Sequence, residues 1–83
     1  MERQKTALVV GMARSGIASA KLLAKNGYRV IINDLKRDIS GLFEALGDIE
    51  FVNGLGAPPE AFLEETDLMV LSPVIPIFRP FVK

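Results

Sequence analysis

Three short stretches of this chain carry residues suited to holding a ligand, and none carries the residue types that usually break bonds. The first is Gly11-Met12-Ala13-Arg14-Ser15-Gly16. An apolar, β-branched run stops at Gly11, and a helical pattern starts within five residues. A strand, a tight turn and a helix start in immediate succession point backbone N–H groups and the positive end of a helix dipole outward, which is a site for phosphate. Gly11 can take the backbone angles such a turn needs, and Gly16 lets the helix pack closely on the strand. Ala13 stands where the dinucleotide-binding fingerprint has its middle glycine, and a small residue still allows close approach. The second stretch is Asp34 with Leu35, Lys36 and Arg37 behind it, and the third is Ser72-Pro73-Val74-Ile75-Pro76. The chain has no cysteine and no histidine. That removes disulfides, thiol catalysis, zinc sites and imidazole acid–base chemistry, and no catalytic residue or metal ligand is assigned.

The elements that must position these residues follow from the hydrophobic pattern. Residues 6–10 form a continuous apolar run, the mark of a strand buried on both faces of a parallel sheet. Residues 15–26 read as a helix with Ile17, Ala20, Leu23 and Ala24 on one face and Lys21 and Lys25 on the other. Ser15 is the expected cap, and Asn26-Gly27 the stop. Residues 28–33 give a second strand with Asp34 at its carboxyl end. A short helix over 39–46, weakened by Gly41, leads to a third strand at 49–52. The stretch from Asn53 to Pro59 reads as a loop, with Pro59 opening a helix that runs to about residue 65. Residues 67–71 form a fourth strand. The order βαβαβαβ predicts an α/β fold of Rossmann-like, three-layer type: a parallel sheet in the order 3-2-1-4 with helices on both faces. Ligands of such sheets sit at the carboxyl ends of the strands, where the winding direction switches, and the three stretches meet there. Phe43, Phe51 and Phe62 are read as core.

Composition sets the limits. Eighty-three residues make one domain, near the lower limit of size for an independent core. Apolar residues are 49% of the chain, which places it among folded globular domains. Ten basic and ten acidic residues give a net charge of zero with no basic tract, which speaks against nucleic acid or an anionic membrane as a partner. No signal peptide or membrane span is evident, and a cytoplasmic setting is expected. On these residues alone the first two stretches also suit an NAD(P)-binding domain, since Asp34 lies 18 positions beyond Gly16, where such domains bind the adenosine ribose. A plain connector turn and a solvated loop carboxylate are the bland readings of the same residues.

The third stretch favours one reading. With Gly11-Met12-Ala13-Arg14-Ser15-Gly16, then Val30-Ile31-Ile32-Asn33-Asp34, then Leu68-Met69-Val70-Leu71-Ser72-Pro73-Val74-Ile75-Pro76, nearly the whole chain resembles the N-terminal domain of the Mur ligases, in particular the D-glutamate-adding branch of peptidoglycan synthesis. The Ser-Pro-x-Ile-Pro segment is the most specific part of the likeness, and NAD(P)-binding domains have no reason to carry it. Val74 departs from the glycine usual in the family, and a β-branched residue there disfavours positive φ. A regulatory domain that keeps the fold and has lost the ligand is the other reading, and Val74 is its support.

The resemblance implies binding of the UDP half of UDP-N-acetylmuramoyl-L-alanine. Carried over by position, Gly11, Ala13, Arg14, Ser15 and Gly16 would hold the diphosphate. Asp34 would accept a hydrogen bond from uracil N3–H, with little part in folding. Leu35, Lys36 and Arg37 would cover the base, and Ser72, Pro73 and Val74 would line the sugar-phosphate side. The parent ligase uses ATP and magnesium to activate a carboxylate, chemistry that needs a GxxGK(S/T) phosphate loop absent from this chain. No cofactor is therefore expected here, and the ATP-binding and C-terminal domains are expected outside these residues. The sheet is expected to stop at its fourth strand, before a fifth. That would leave an open edge, a poorly ordered tail after Pro76 and weak self-association through Ile75, Ile77, Phe78, Phe81 and Val82.

Overall fold

The computed structural model describes residues 4–71 and 75–78. Four parallel strands form its centre: β1 (Thr6–Val10), β2 (Arg29–Asp34), β3 (Phe51–Leu55) and β4 (Leu68–Leu71). They stand in the order β3-β2-β1-β4, as the alternating pattern requires. The register places Leu8 beside Ile31 and Met69, and Val9 beside Ile32 and Val70. Ala7, Leu8, Val9, Val30, Ile31 and Ile32 are all fully buried. Successive side chains of a strand point to opposite faces, so burial of consecutive residues means that both faces are covered, which is why these runs show no alternation.

One face is covered by helices α1 (Arg14–Lys25) and α2 (Leu42–Leu46). Val9, Val30 and Ile32 pack there with Ala20, Met12, Leu42 and Leu46 in one cluster. The other face carries a 3-10 helix, Pro59–Glu65, which packs on β1. Pro59 opens it as expected, with φ already suited to a first turn, but the winding is 3-10 rather than α. The 3-10 helix takes up seven residues of the connection between β3 and β4. Helix α1 ends in a Schellman arrangement: Tyr28 N–H donates to Leu23 O at 3.0 Å and Gly27 N–H to Ala24 O at 3.1 Å, with Gly27 at φ 89°.

Four expectations are corrected. The third strand runs over Phe51–Leu55 and takes in Asn53 and Gly54, read above as loop, because β2 continues to Asp34 and pairs through to Leu55. Phe43 is 54% exposed; it lies at the rim, with its ring 5.5 Å from that of Phe51. The sheet does not stop at β4. Ile75–Phe78 forms a fifth strand, β5, antiparallel to β4, with Leu71 opposite Ile75 and Leu68 opposite Phe78. Ile77 and Phe78 are thus part of the sheet rather than a loose tail. A link of three residues is too short for a parallel crossover and leaves only an antiparallel return. That return pairs the backbone groups that an open β4 edge would expose, and Pro76, which has no N–H, sits where prolines are tolerated, on an edge strand. No helix among the described residues is long and apolar enough to cross a membrane.

Candidate functional site

The turn after β1 is built on glycine backbone. Gly11 adopts φ 95° and donates its N–H to Asn33 O at 2.7 Å, which carries the β1–β2 pairing one step past the strand. Gly16, in the first turn of α1, has no room for a side chain: a Cβ there would overlap Gly11 O and lie 2.9 Å from Gly11 C. The helix start is therefore pressed directly onto the turn. The cap residue is Ala13, in extended conformation, and Ile17 N–H donates to Ala13 O at 3.0 Å. Ser15 is not the cap; the helix begins one residue earlier than the side-chain chemistry suggested, with Arg14 and Ser15 in its first turn. That turn holds no acidic residue of its own, so the helix itself places no negative charge at the positive end of its dipole. Ala13 and Arg14 are exposed there.

The end of β2 ties the neighbouring loops together. Asp34 Oδ2 accepts a hydrogen bond from Met12 N–H at 2.9 Å, and Oδ1 accepts one from Lys36 N–H at 3.0 Å. The Met12 bond first, then the Lys36 bond, hold the Asp34 carboxyl below its ordinary value of 3.8, while partial burial works in the opposite direction. Asp34 thus fastens the glycine turn to its own loop, a structural task that the sequence reading did not give it. Its backbone carbonyl accepts Gly56 N–H at 2.8 Å. Beside it Asn33, 1% exposed, donates from Nδ2 to Gly54 O at 3.0 Å and to Ala57 O at 2.9 Å. Two consecutive residues therefore set the loops after β1, β2 and β3. The sequence reading passed over Asn33; the signal was a carboxamide closing an otherwise apolar strand.

A cavity of about 290 Å³ opens at this end of the sheet, lined by Val10, Gly11, Asn33, Asp34, Leu35 and Pro59. Of the residues singled out from the sequence, Gly11, Asp34 and Leu35 line it, and Ala13, Arg14, Ser15 and Gly16 form the helix start next to its turn. Lys36 contributes a backbone N–H to Asp34. Arg37 lies over Gly56, with a Cβ built on that glycine 3.3 Å from Arg37 Nε, and lines a neighbouring depression of about 440 Å³ with Ile39, Ser40, Phe43 and Leu55. Ser72, Pro73 and Val74 lie outside the described residues. Chemically the site offers a dipole end set close by a glycine turn, two basic residues in Lys36 and Arg37, and carbonyl and carboxylate acceptors. A helix dipole end beside basic residues suits an anion.

Residues 5–83 match the family described as Mur ligase MurD-like, N-terminal domain. The relatives agree. The chain is 35% identical over 98% of its length to the UDP-N-acetylmuramoylalanine--D-glutamate ligase of Alkaliphilus metalliredigens, covering 19% of that protein. It is 41% identical over 98% of its length to the ligase of the same name from Geobacillus kaustophilus, covering 18% of it. The corresponding figures for Shouchella clausii are 43%, 95% and 18%. The chain therefore spans about a fifth of the length of these relatives. No solved structure matches it significantly. The glycine turn, the acceptors at the end of β2 and the match over nearly every residue lead to one conclusion: this chain belongs to the MurD-like N-terminal domain family of the Mur ligases.

Proposed function

We propose that the chain binds the uridine diphosphate portion of UDP-N-acetylmuramoyl-L-alanine, as the N-terminal domain of an ATP-dependent D-glutamate-adding ligase of peptidoglycan synthesis. The observation that carries this reading is the uncapped start of α1 pressed against the Gly11 turn, beside the Asp34 cavity. The diphosphate fits the positive end of the dipole, with Gly11 shaping the turn, Ala13, Ser15 and Gly16 offering backbone at the helix start and Arg14 a positive charge. Asp34 keeps lone pairs beyond the two it gives to backbone N–H groups and accepts uracil N3–H with one of them. Leu35, Lys36 and Arg37 close over the base. Ser72, Pro73 and Val74 complete the sugar-phosphate side. ATP and magnesium belong to other domains of the parent enzyme, and amide-bond formation takes place there; this chain supplies the grip on the nucleotide.

The test is a titration of the 83-residue chain followed by amide NMR, with UDP, NADH and buffer as separate arms. UDP should move the amides of Gly11, Met12, Arg14 and Lys36, with weak affinity because the contacts of the other domains are missing. NADH should leave them in place. If NADH moves these amides and UDP does not, the domain reads a different nucleotide and the ligase reading fails.

A further inference from the structure

Asn33 is buried among apolar neighbours, yet its amide is only half used. Both known side-chain bonds are donations from Nδ2, to Gly54 O and Ala57 O. Those two carbonyls fix which way the carboxamide points, since the opposite orientation would set Oδ1 against two acceptors. No donor reaches Oδ1 among the described residues. At the same time, no fully buried side-chain nitrogen or oxygen among them lacks a partner. Asn33 as a whole is 1% exposed. The two facts leave one arrangement: Oδ1 is the atom that keeps the residue's sliver of exposure. Asn33 lines the cavity with Val10, Gly11, Asp34, Leu35 and Pro59.

The surroundings give that oxygen a chemical meaning. Val10, Leu35 and Pro59 are apolar and make the cavity wall. An acceptor set in such a wall attracts a neutral donor and disfavours a ligand that presents a second acceptor, because a buried acceptor left unpaired costs its full desolvation. A purely structural asparagine would need only the two donations that brace Gly54 and Ala57.

Resting on the nucleotide reading above, we infer that Asn33 is a specificity-determining residue: its Oδ1 accepts a hydrogen bond from an uncharged donor of the bound nucleoside. With the imide N3–H of the base given to Asp34, the donor left for Asn33 is the 2′-hydroxyl of the ribose, and the N3-methyl analogue below checks that division. Asn33 and Asp34 are consecutive on β2 and face opposite sides of the sheet. A nucleoside lying across the end of β2 meets both acceptors, one from each side, and its base and its ribose each find a partner.

The experiment uses the whole 83-residue chain with UDP, 2′-deoxy-UDP and N3-methyl-UDP, each followed by backbone amide shifts and by the side-chain Cγ and Nδ2H₂ resonances of Asn33. With UDP, the Cγ resonance should move as Oδ1 gains its bond, while the Nδ2H₂ pair stays near its position because its two carbonyl partners are kept. The analogue that lacks the relevant donor should bind roughly five- to thirty-fold more weakly and leave Cγ unmoved, which identifies the group read. Asn33→Ala, checked for a native amide spectrum, should bind UDP and that analogue equally; if this variant does not fold, the Cγ measurement on the native chain decides alone. UDP shifts at Gly11, Met12 and Arg14 without any change at Asn33 Cγ would overturn the role of Asn33 and leave the nucleotide reading intact. No response to UDP anywhere would overturn both.

Discussion

At the amino end of the sheet, Thr6 N–H donates to Asp67 Oδ2 at 2.9 Å, and Asp67 N–H donates back to Thr6 O at 2.8 Å. At the carboxyl end, Met12 N–H donates to Asp34 Oδ2 at the same 2.9 Å. Both ends thus use an aspartate to hold backbone N–H groups, and both have cavities. Those at the amino end measure about 310 and 510 Å³ and are lined by Gln4, Tyr28, Glu50 and residues around them, against about 290 and 440 Å³ at the carboxyl end. Size and hydrogen bonding do not separate the two ends. What separates them is the lining. The amino end is walled by side chains of both charges, Lys21, Lys25 and Arg29 against Glu50, and it holds the C-terminal, negative end of α1, with Lys25 in its last turn. The carboxyl end holds the positive end of the same helix, pressed on a glycine turn, and two buried or half-buried acceptors. An anionic nucleotide is favoured at one end of α1 and disfavoured at the other. On the proposed reading, it is the polarity of a single helix, more than the volume of any cavity, that places the ligand.

The largest effect should come from breaking the contact between helix and turn at the carboxyl end. Gly16→Ala puts a methyl group into Gly11 O, and backbone on both sides cannot give way cheaply. A loss of about 3 kcal/mol or more in denaturant unfolding is expected, at the upper end of overpacking costs. Gly27→Ala, at the other end of α1, meets nothing within 4 Å and suffers only from φ 89°. It should cost about 1 kcal/mol. Equal losses at the two glycines would mean that α1 does not press on the turn.

The second effect is smaller and depends on pH. Asp34→Asn keeps the shape but weakens the bonds to Met12 and Lys36 N–H, and should cost about 1–2 kcal/mol at neutral pH, since the carboxylate is partly open to water. The folded-state carboxyl lies below its ordinary value of 3.8. Its contribution is therefore complete above the unfolded value and is lost as pH falls from there through the folded value. The stability gap between native chain and variant should be constant at neutral pH and should close below about pH 4. A gap that persists unchanged into that range would assign the loss to something other than the charge of Asp34.

How far the sequence disclosed this contrast can be followed residue by residue. The strands read at 6–10, 28–33 and 67–71 and the glycine turn between the first strand and α1 were legible, because burial on both faces and a strand-to-helix turn each leave a pattern that owes little to context. Gly16 was legible for the same reason. The internal task of Asp34 was not: a carboxylate at a strand end looks the same whether it faces a ligand or a backbone N–H. Asn33 was hidden because its partners, Gly54 O and Ala57 O, lie more than twenty positions away. The return of β5 depends on a tertiary edge that no local propensity records. Phe43 was misplaced because α2 is a helix of five residues, too short for its hydrophobic face to be read from spacing.

Ligand binding tests the same contrast more finely. Arg14→Ala removes an exposed charge from the first turn of α1 without touching the core. It should weaken UDP about three- to ten-fold, in line with a partly hydrated charged contact, and the loss should shrink at high salt. Stability should hardly change. A UDP affinity equal to that of the native chain would remove Arg14 from the diphosphate.

The smallest effect belongs to the amino end. Arg29 Nη1 lies 2.8 Å from Glu65 Oε1, a good distance for an ion pair, but the two side chains remain 43% and 47% exposed. Water and mobile ions compete for both groups, and two long side chains give up rotamer freedom to meet, so pairs of this kind contribute little. Arg29→Ala should cost about 0.5 kcal/mol or less, and the difference should vanish in about 1 M salt, where screening acts over only a few ångström. Arg29 also borders the amino-end cavity with Tyr28 and Glu50. If the helix dipole places the nucleotide, UDP should bind this variant as it binds the native chain. Measured side by side, a loss of UDP affinity in Arg29→Ala as large as that in Arg14→Ala would reverse the assignment of the two ends, because the only route from Arg29 to the ligand would then be a nucleotide seated at the amino end of the sheet.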